Sequence, residues 1–293
     1  MPYIVKYFFL IVLFVSIPFS LIEAKQYVED DLGNKFLLDK PARRIISLAP
    51  HITEMLYSAG AGQYVVGTVQ HTDYPESAKK IRKIGSYNNF SLETIISLKP
   101  DLIVAWQSGN PHHIVEKLKT LGFSVFINQP DRLLDIPSVV KRLSLLTQTN
   151  SEKNVNKFLL KYKQLKKKYS NKHKVKLFYQ YWNQPIMTIN GEHIITDVMR
   201  LCGAENIFHD VKALAPAVTV ESVIKSNVDV IMIGGLKNQH RQWLDDWRKW
   251  KDLPAVKNNN LYNVNPDLLQ RHTLRMIDGA EVMCQKVDLA RQN

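Results

Sequence analysis

One segment of this chain occurs twice, and the pair of copies constrains the fold more than any other feature. Ser91-Leu-Glu-Thr-Ile-Ile-Ser-Leu-Lys-Pro-Asp-Leu-Ile-Val aligns position by position with Thr219-Val-Glu-Ser-Val-Ile-Lys-Ser-Asn-Val-Asp-Val-Ile-Met, 128 residues further on. Each copy opens on Ser or Thr, residues that cap helix N-termini. Each then carries an acid, Glu93 or Glu221, in the first turn, where the helix dipole favours an anion, and each ends in an apolar, β-rich run. Two copies of one helix-then-strand unit predict two similar α/β lobes.

The flanking segments fit that plan. Arg44-Ile-Ile-Ser-Leu-Ala reads as a short apolar strand, followed by the helical pattern Thr53-Glu-Met-Leu-Tyr-Ser-Ala that stops at Gly60. A strand at Val65-Val-Gly-Thr-Val, a loop with Asp73-Tyr-Pro, a helix from about His113 to Thr120 and a strand at Ser124-Val-Phe-Ile come next. Strands alternating with helices imply mostly parallel sheets with both faces covered. From Ile136 to Tyr169 the chain has no glycine and keeps apolar residues at helical spacing (Val155, Phe158, Leu159, Tyr162, Leu165), which predicts one long helix after a shorter helical piece at Val139 to Leu146. The expected architecture is two Rossmann-like lobes, residues 25–135 and 173–293, joined by a single long helix in 136–172.

Residues 1–24 read as a secretory signal peptide: a basic start, the apolar run Phe8 to Ile22, and Ala24 as a cleavage point, with a retained anchor as the alternative. Periplasmic localisation is expected. The remaining chain of about 269 residues has material for one large or two medium domains. A formal charge of +12 raises nucleic acid as a partner, but the lysines are dispersed or lie on one helical stretch (Lys161, Lys163, Lys166, Lys167, Lys168), the pattern of a solvated face. The two cysteines, Cys202 and Cys284, favour a disulfide in an exported chain; two buried thiols are the alternative.

Several stretches together, namely Asp30-Asp-Leu-Gly-Asn, Pro41 through Gly60, Asp73-Tyr-Pro and Ser91 through Trp106, resemble the helical-backbone class of periplasmic solute-binding proteins. Ala105-Trp-Gln-Ser-Gly-Asn, Cys202-Gly-Ala-Glu-Asn-Ile-Phe and Asp267 through Arg271 resemble its cobalamin-binding members. The resemblance implies a monomer that captures cobalamin between its lobes and delivers it to the permease subunits of an ABC importer, with cobalamin as cargo and no catalytic cofactor. It assigns the cleft to His71, Tyr87, Trp106, Tyr181, Ala215, Asp267 and Arg271. It makes Cys202–Cys284 a disulfide, and Glu93 and Glu221 the acids that dock on the permease. Tyr181 stands where the resemblance expects phenylalanine and Ala215 where it expects tryptophan, so the cleft has less aromatic area.

Cobalamin is a flat macrocycle with an amide rim, and it needs aromatic walls beside groups that donate and accept. Trp106 ends an apolar strand, where open α/β sheets hold ligands, although a packing role is the plainer reading. Asp267 and Arg271 stand at i and i+4, the spacing of an ordinary helical salt bridge. Haem or a ferric siderophore is the alternative cargo, with Tyr87 or His71 as an axial ligand. A metal-dependent hydrolase is the reading from another class. Against it, the nine histidines include the pair His112-His113 but no metal-ligand spacing, and no nucleophile elbow or phosphate loop occurs. The chain is therefore read as a binder and not an enzyme.

Overall fold

The computed structural model describes residues 27–37, 40–235 and 240–292; the expected signal segment lies outside the described residues. The first half runs β1 (Ile45–Ser47), α1 (Pro50–Ser58), β2 (Val65–Gly67), α2 (Leu92–Ser97), β3 (Leu102–Trp106), α3 (His112–Thr120) and β4 (Val125–Asn128). Helices α4 (Asp135–Thr147) and α5 (Glu152–Tyr169) follow. The second half runs β5 (Val175–Gln180), α6 (Ile194–Leu201), β6 (Ala204–Asn206), α7 (Val220–Lys225) and β7 (Val230–Ile233). It continues with α8 (His240–Trp247), α9 (Pro254–Lys257), β8 (Leu261–Asn263), α10 (Pro266–Leu269) and α11 (Met276–Ala290). Each half has one four-stranded parallel sheet, and the spatial orders, β2-β1-β3-β4 and β6-β5-β7-β8, are the same.

The strands read as unbroken apolar runs because helices cover both faces: Leu102, Ile103, Val104 and Ala105 of β3 are all fully buried. The two repeat copies become α2 with β3 and α7 with β7. Helix α1 starts at Pro50, ahead of the apolar pattern at Thr53, because proline at the first helical position has no N–H to leave unpaired.

The stretch between the sheets divides at Gln148, whose left-handed backbone (φ 45°) closes α4. Helix α5 is then the single long helix, 18 residues, that carries the chain into the second sheet. Lys163, Lys166, Lys167 and Lys168 on it are exposed as expected, but Lys161 is not part of that solvated face. Its Nζ lies 2.8 Å from Asp278 and 2.6 Å from Glu281, tying α5 to α11. The disulfide Cys202–Cys284 joins the end of α6 to the same α11. One apolar cluster runs from Ile45 and Val104, through Val140 of α4 and Phe158 of α5, to Leu177 and Met232. The halves therefore share a core. No helix among the described residues is long and apolar enough to cross a membrane.

Candidate functional site

The C-terminal ends of the strands in both sheets, where open α/β sheets bind ligands, meet in one cleft. Trp106 is the last residue of β3. Its position is fixed by Asn110: the Trp106 N–H donates to Asn110 Oδ1 at 2.6 Å. Asn110 Nδ2 donates in turn to the carbonyls of Leu48 (2.9 Å) and Tyr87 (2.7 Å). One buried side chain thus clips together the end of β1, the end of β3 and the Tyr87 loop. The indole folds back over Gly109, where a Cβ would lie 1.9 Å from the ring, so any other residue there would displace it. The Trp106 Nε1 is buried without a partner.

Tyr87 is exposed, with its ring 6.4 Å from that of Trp106. Tyr181 follows the end of β5. Burial first, and neighbouring Tyr87 second, raise its hydroxyl pKa. Leu214, not Ala215, lines the cavity against Tyr181 and Trp106. His71 sits exposed in a left-handed turn (φ 61°) and makes no side-chain hydrogen bond or ring contact with the described residues.

Sequence reasoning did not single out three histidines that complete this wall. His51, at the start of α1, packs edge-on against Trp106 at 5.0 Å. His272 lies 5.9 Å from His51 and 6.2 Å from His193, ring to ring. His193 caps α6, its Nδ1 accepting from the Ile195 N–H at 3.1 Å. Burial lowers the pKa of His51 and of His193 to about 4. Burial, with His51 and His193 nearby, pushes His272 well below its ordinary value. All three are neutral imidazoles near pH 7. Their separations in sequence hid them; the one available signal was His51, directly after the first apolar strand. Among the described residues no group of three His, Cys, Asp or Glu side chains is arranged to hold a metal ion.

Beside the rings a set of ion pairs crosses between the halves. Glu54 of α1, 2% exposed, accepts from Arg271 Nη1 at 2.9 Å and from Arg275 Nε and Nη2 at 2.9 and 2.8 Å. Arg271 Nη1 also donates to Asp73 at 2.6 Å, and its Nη2 lies 3.4 Å from Asp267. Burial works against the Arg271 charge, but its bonds to Asp73 and Glu54 outweigh it and hold the guanidinium protonated. Burial raises the Glu54 carboxyl above its ordinary value, and the two guanidiniums oppose that without cancelling it. Asp267 and Arg271 are therefore brought together as expected, but Arg271 reaches mainly across the cleft to Glu54 and Asp73.

With this latch in place the cavity between Trp106, Tyr181, His193 and His272 measures about 90 Å³, far below the roughly 300 Å³ at which small-molecule sites begin. A second cavity of about 410 Å³ lies beyond the latch, among α1, α5 and α11, with Glu54 and Arg275 in its wall. It does not touch the strand ends, whereas the smaller, aromatic cavity does.

Away from the cleft, Glu93 and Glu221 occupy equivalent first-turn positions on α2 and α7. Both are exposed, and bonds to the helix-start backbone, then to Ser91 or Thr219, lower both carboxyl pKa values.

Two like sheets of order 2-1-3-4 with one helical connection and a cleft at their strand ends define a class of two-lobed binding proteins. The chain belongs to the periplasmic binding protein family, whose pattern matches residues 45–268. It is 37% identical over 248 residues to a vitamin B12-binding protein of Vibrio vulnificus, covering 84% of this chain and 90% of that one. It is 36% identical over 256 residues to the vitamin B12-binding protein of Vibrio campbellii, covering 86% and 92%. The crystal structure of the periplasmic vitamin B12 binding protein BtuF of Vibrio cholerae superposes with a TM-score of 0.80 at 33% identity, covering 86% of this chain and 99% of that one.

Proposed function

We propose that this protein, exported to the periplasm and freed of residues 1–24, binds cobalamin between lobes 25–135 and 173–293 and delivers it as a monomer to an ABC importer. It carries out no reaction on the ligand. The observation that carries this reading is the lining of the cleft: Trp106, Tyr181 and three neutral histidines, with no lysine or arginine among the described residues around the 90 Å³ cavity. Such a lining suits a macrocycle edged with uncharged amides. Haem, the competing cargo, has two carboxylates, and opening the cleft frees one guanidinium, that of Arg271, to meet them.

Cobalamin is too large for the cavity as it stands. Binding must part the halves at the cleft mouth and free Arg271 from Glu54 and Asp73, which makes Arg271 and Asp267 available to the ligand rim. The shared core and the single helix α5 limit that opening to a small tilt. Glu93 and Glu221 supply one exposed acid per lobe, and rim charges of this kind set on-rate and register with a basic permease surface.

The test is a titration with cyanocobalamin, expected to saturate at one ligand per chain at micromolar concentration or below. Glu93→Lys with Glu221→Lys keeps that affinity and abolishes uptake by cells. Absence of saturable binding, or a haem titration that saturates in its place with a Soret shift lost in Tyr87→Phe, overturns the reading.

A further inference from the structure

Two buried polar atoms in the cleft have no partner. Trp106 Nε1–H can only donate, whereas His272 Nδ1 accepts in the tautomer of the neutral ring that carries its proton on Nε2. They come from different halves of the chain, their rings 6.5 Å apart and nearly perpendicular, at 80°. Both residues line the 90 Å³ cavity, which has room for a group the size of a few waters at about 30 Å³ each.

Neighbouring groups restrict what that group can be. His193 Nδ1 is committed to the Ile195 N–H, so the neutral ring carries its proton on Nε2, a second donor in the lining. His51 Nε2 faces Asn128 Oδ1 at 3.3 Å. Asn128 Nδ2 points to the Asp31 carboxylate at 3.4 Å, which leaves Oδ1 as the acceptor and commits His51 Nε2 as its donor. The charged residues lining the cavity are Asp131 and Glu192, both acids. A ligand carboxylate entering here would meet like charges and no cation. A protonated amine would leave the donors Trp106 and His193 unmatched. A primary carboxamide, with one strong acceptor and two donors, matches these groups, as a hydroxyl does, and it is the carboxamide that edges a corrinoid.

We propose that Trp106, His193 and His272 form a carboxamide clamp. The clamp takes the His272 tautomer protonated on Nε2. One amide of the ligand rim accepts from Trp106 Nε1 and His193 Nε2 through its oxygen and donates to His272 Nδ1 through its nitrogen, so the cleft selects its ligand by an uncharged amide. This rests on the corrinoid reading above and goes beyond it by naming His272 and His193 as specificity-determining residues. A buried donor or acceptor left unmatched loses about tenfold in affinity.

The experiment titrates cyanocobalamin, and its monocarboxylic acids with one side-chain amide hydrolysed, against the full protein and the variants His272→Ala, His272→Asn and Trp106→Phe. His272→Ala is expected to weaken cyanocobalamin about tenfold. His272→Asn, whose Oδ1 takes the place of Nδ1, restores most of the loss, a rescue that a merely structural role would not show. At least one monocarboxylic acid binds the unaltered protein tenfold or more weakly than cyanocobalamin, and that ratio shrinks in His272→Ala. Affinity of His272→Ala within twofold of the unaltered protein overturns the clamp while leaving corrinoid binding standing. Equal affinity for every monocarboxylic acid overturns it without any variant having to fold. An imidazole-bound cobalt spectrum with cobinamide, lost in His272→Ala, overturns it by assigning that nitrogen to the metal. Failure of the unaltered protein to bind cyanocobalamin removes both readings together, and is told apart by needing no variant.

Discussion

The two copies of the repeat agree at their outer ends and part company at their inner ones. Ser91 Oγ accepts from the Thr94 N–H at 3.1 Å, and Thr219 Oγ1 from the Ser222 N–H at 3.2 Å. In both copies the residues that follow run exposed, half-buried, buried: Glu93, Thr94, Ile95 against Glu221, Ser222, Val223. At the cleft, β3 ends in Trp106, while β7 ends at Ile233 and continues into Gly234-Gly235. A Cβ on Gly234 would lie 1.7 Å from the Tyr179 hydroxyl, and one on Gly235 would lie 1.9 Å from the Trp243 ring. The second copy thus gives up its space to neighbouring aromatics, and its half supplies cleft groups from α10, α6 and the loop at His272. A two-fold-like outer surface and an asymmetric cleft suit a partner with two equivalent docking points and a ligand with two unlike faces.

The largest expected effect acts where the halves meet. His51 and His193 come from different halves, and both are held neutral with pKa values of about 4, below the ordinary 6.5. A histidine whose pKa is depressed by folding stabilises the folded state fully above the unfolded value, and that stability is lost as pH falls toward the folded value. At about 1.4 kcal/mol per unit, each ring contributes about 3 kcal/mol that disappears between pH 6.5 and 4. Urea midpoints measured across that window should fall steeply, and His51→Phe should flatten the profile. A profile unchanged by that substitution would mean that the cleft histidines are already solvated and that the halves meet more loosely than described.

The second effect falls on one half only. Both cysteines lie in the second half, and their bond closes a loop of sequence separation 82. Replacing both by serine is expected to cost about 4.5 kcal/mol in the chain-entropy model. Because one apolar cluster spans both sheets, the loss should appear as a single weakened unfolding transition. Two transitions, with that of the first half unmoved, would make the halves separate folding units and break the comparison in its strongest form.

What the sequence made legible follows from distance along the chain. The repeat was visible because helix caps, first-turn acids and apolar strands are local signals, and they located α2, β3, α7 and β7 before any contact was known. Trp106 was visible because it ends such a strand. His51, His193 and His272 were not, since each is an ordinary lone histidine until the shared 2-1-3-4 topology brings β1, α6 and the turn after α10 together. Glu54 was equally hidden: it sits in an apolar helical pattern, and nothing local states that Arg271 and Arg275 converge on it. The contrast between Ala215 and Leu214 is a matter of loop register, which no periodicity fixes.

The smallest effect tests the outer likeness directly. An N-cap hydroxyl contributes about 1 kcal/mol, and Ser91→Ala and Thr219→Ala each remove one from a six-residue helix with the same burial order. Equal losses in urea denaturation, within about 0.5 kcal/mol, would mean that the two helix starts are energetic as well as geometric copies. The two caps differ in one bond: Ser91 Oγ accepts from Thr94 Oγ1 at 2.9 Å, whereas the Ser222 hydroxyl donates at 2.7 Å to the Thr219 carbonyl. An excess loss at Ser91 would therefore measure that bond. It would also mark the first break in symmetry on the face proposed to meet the permease.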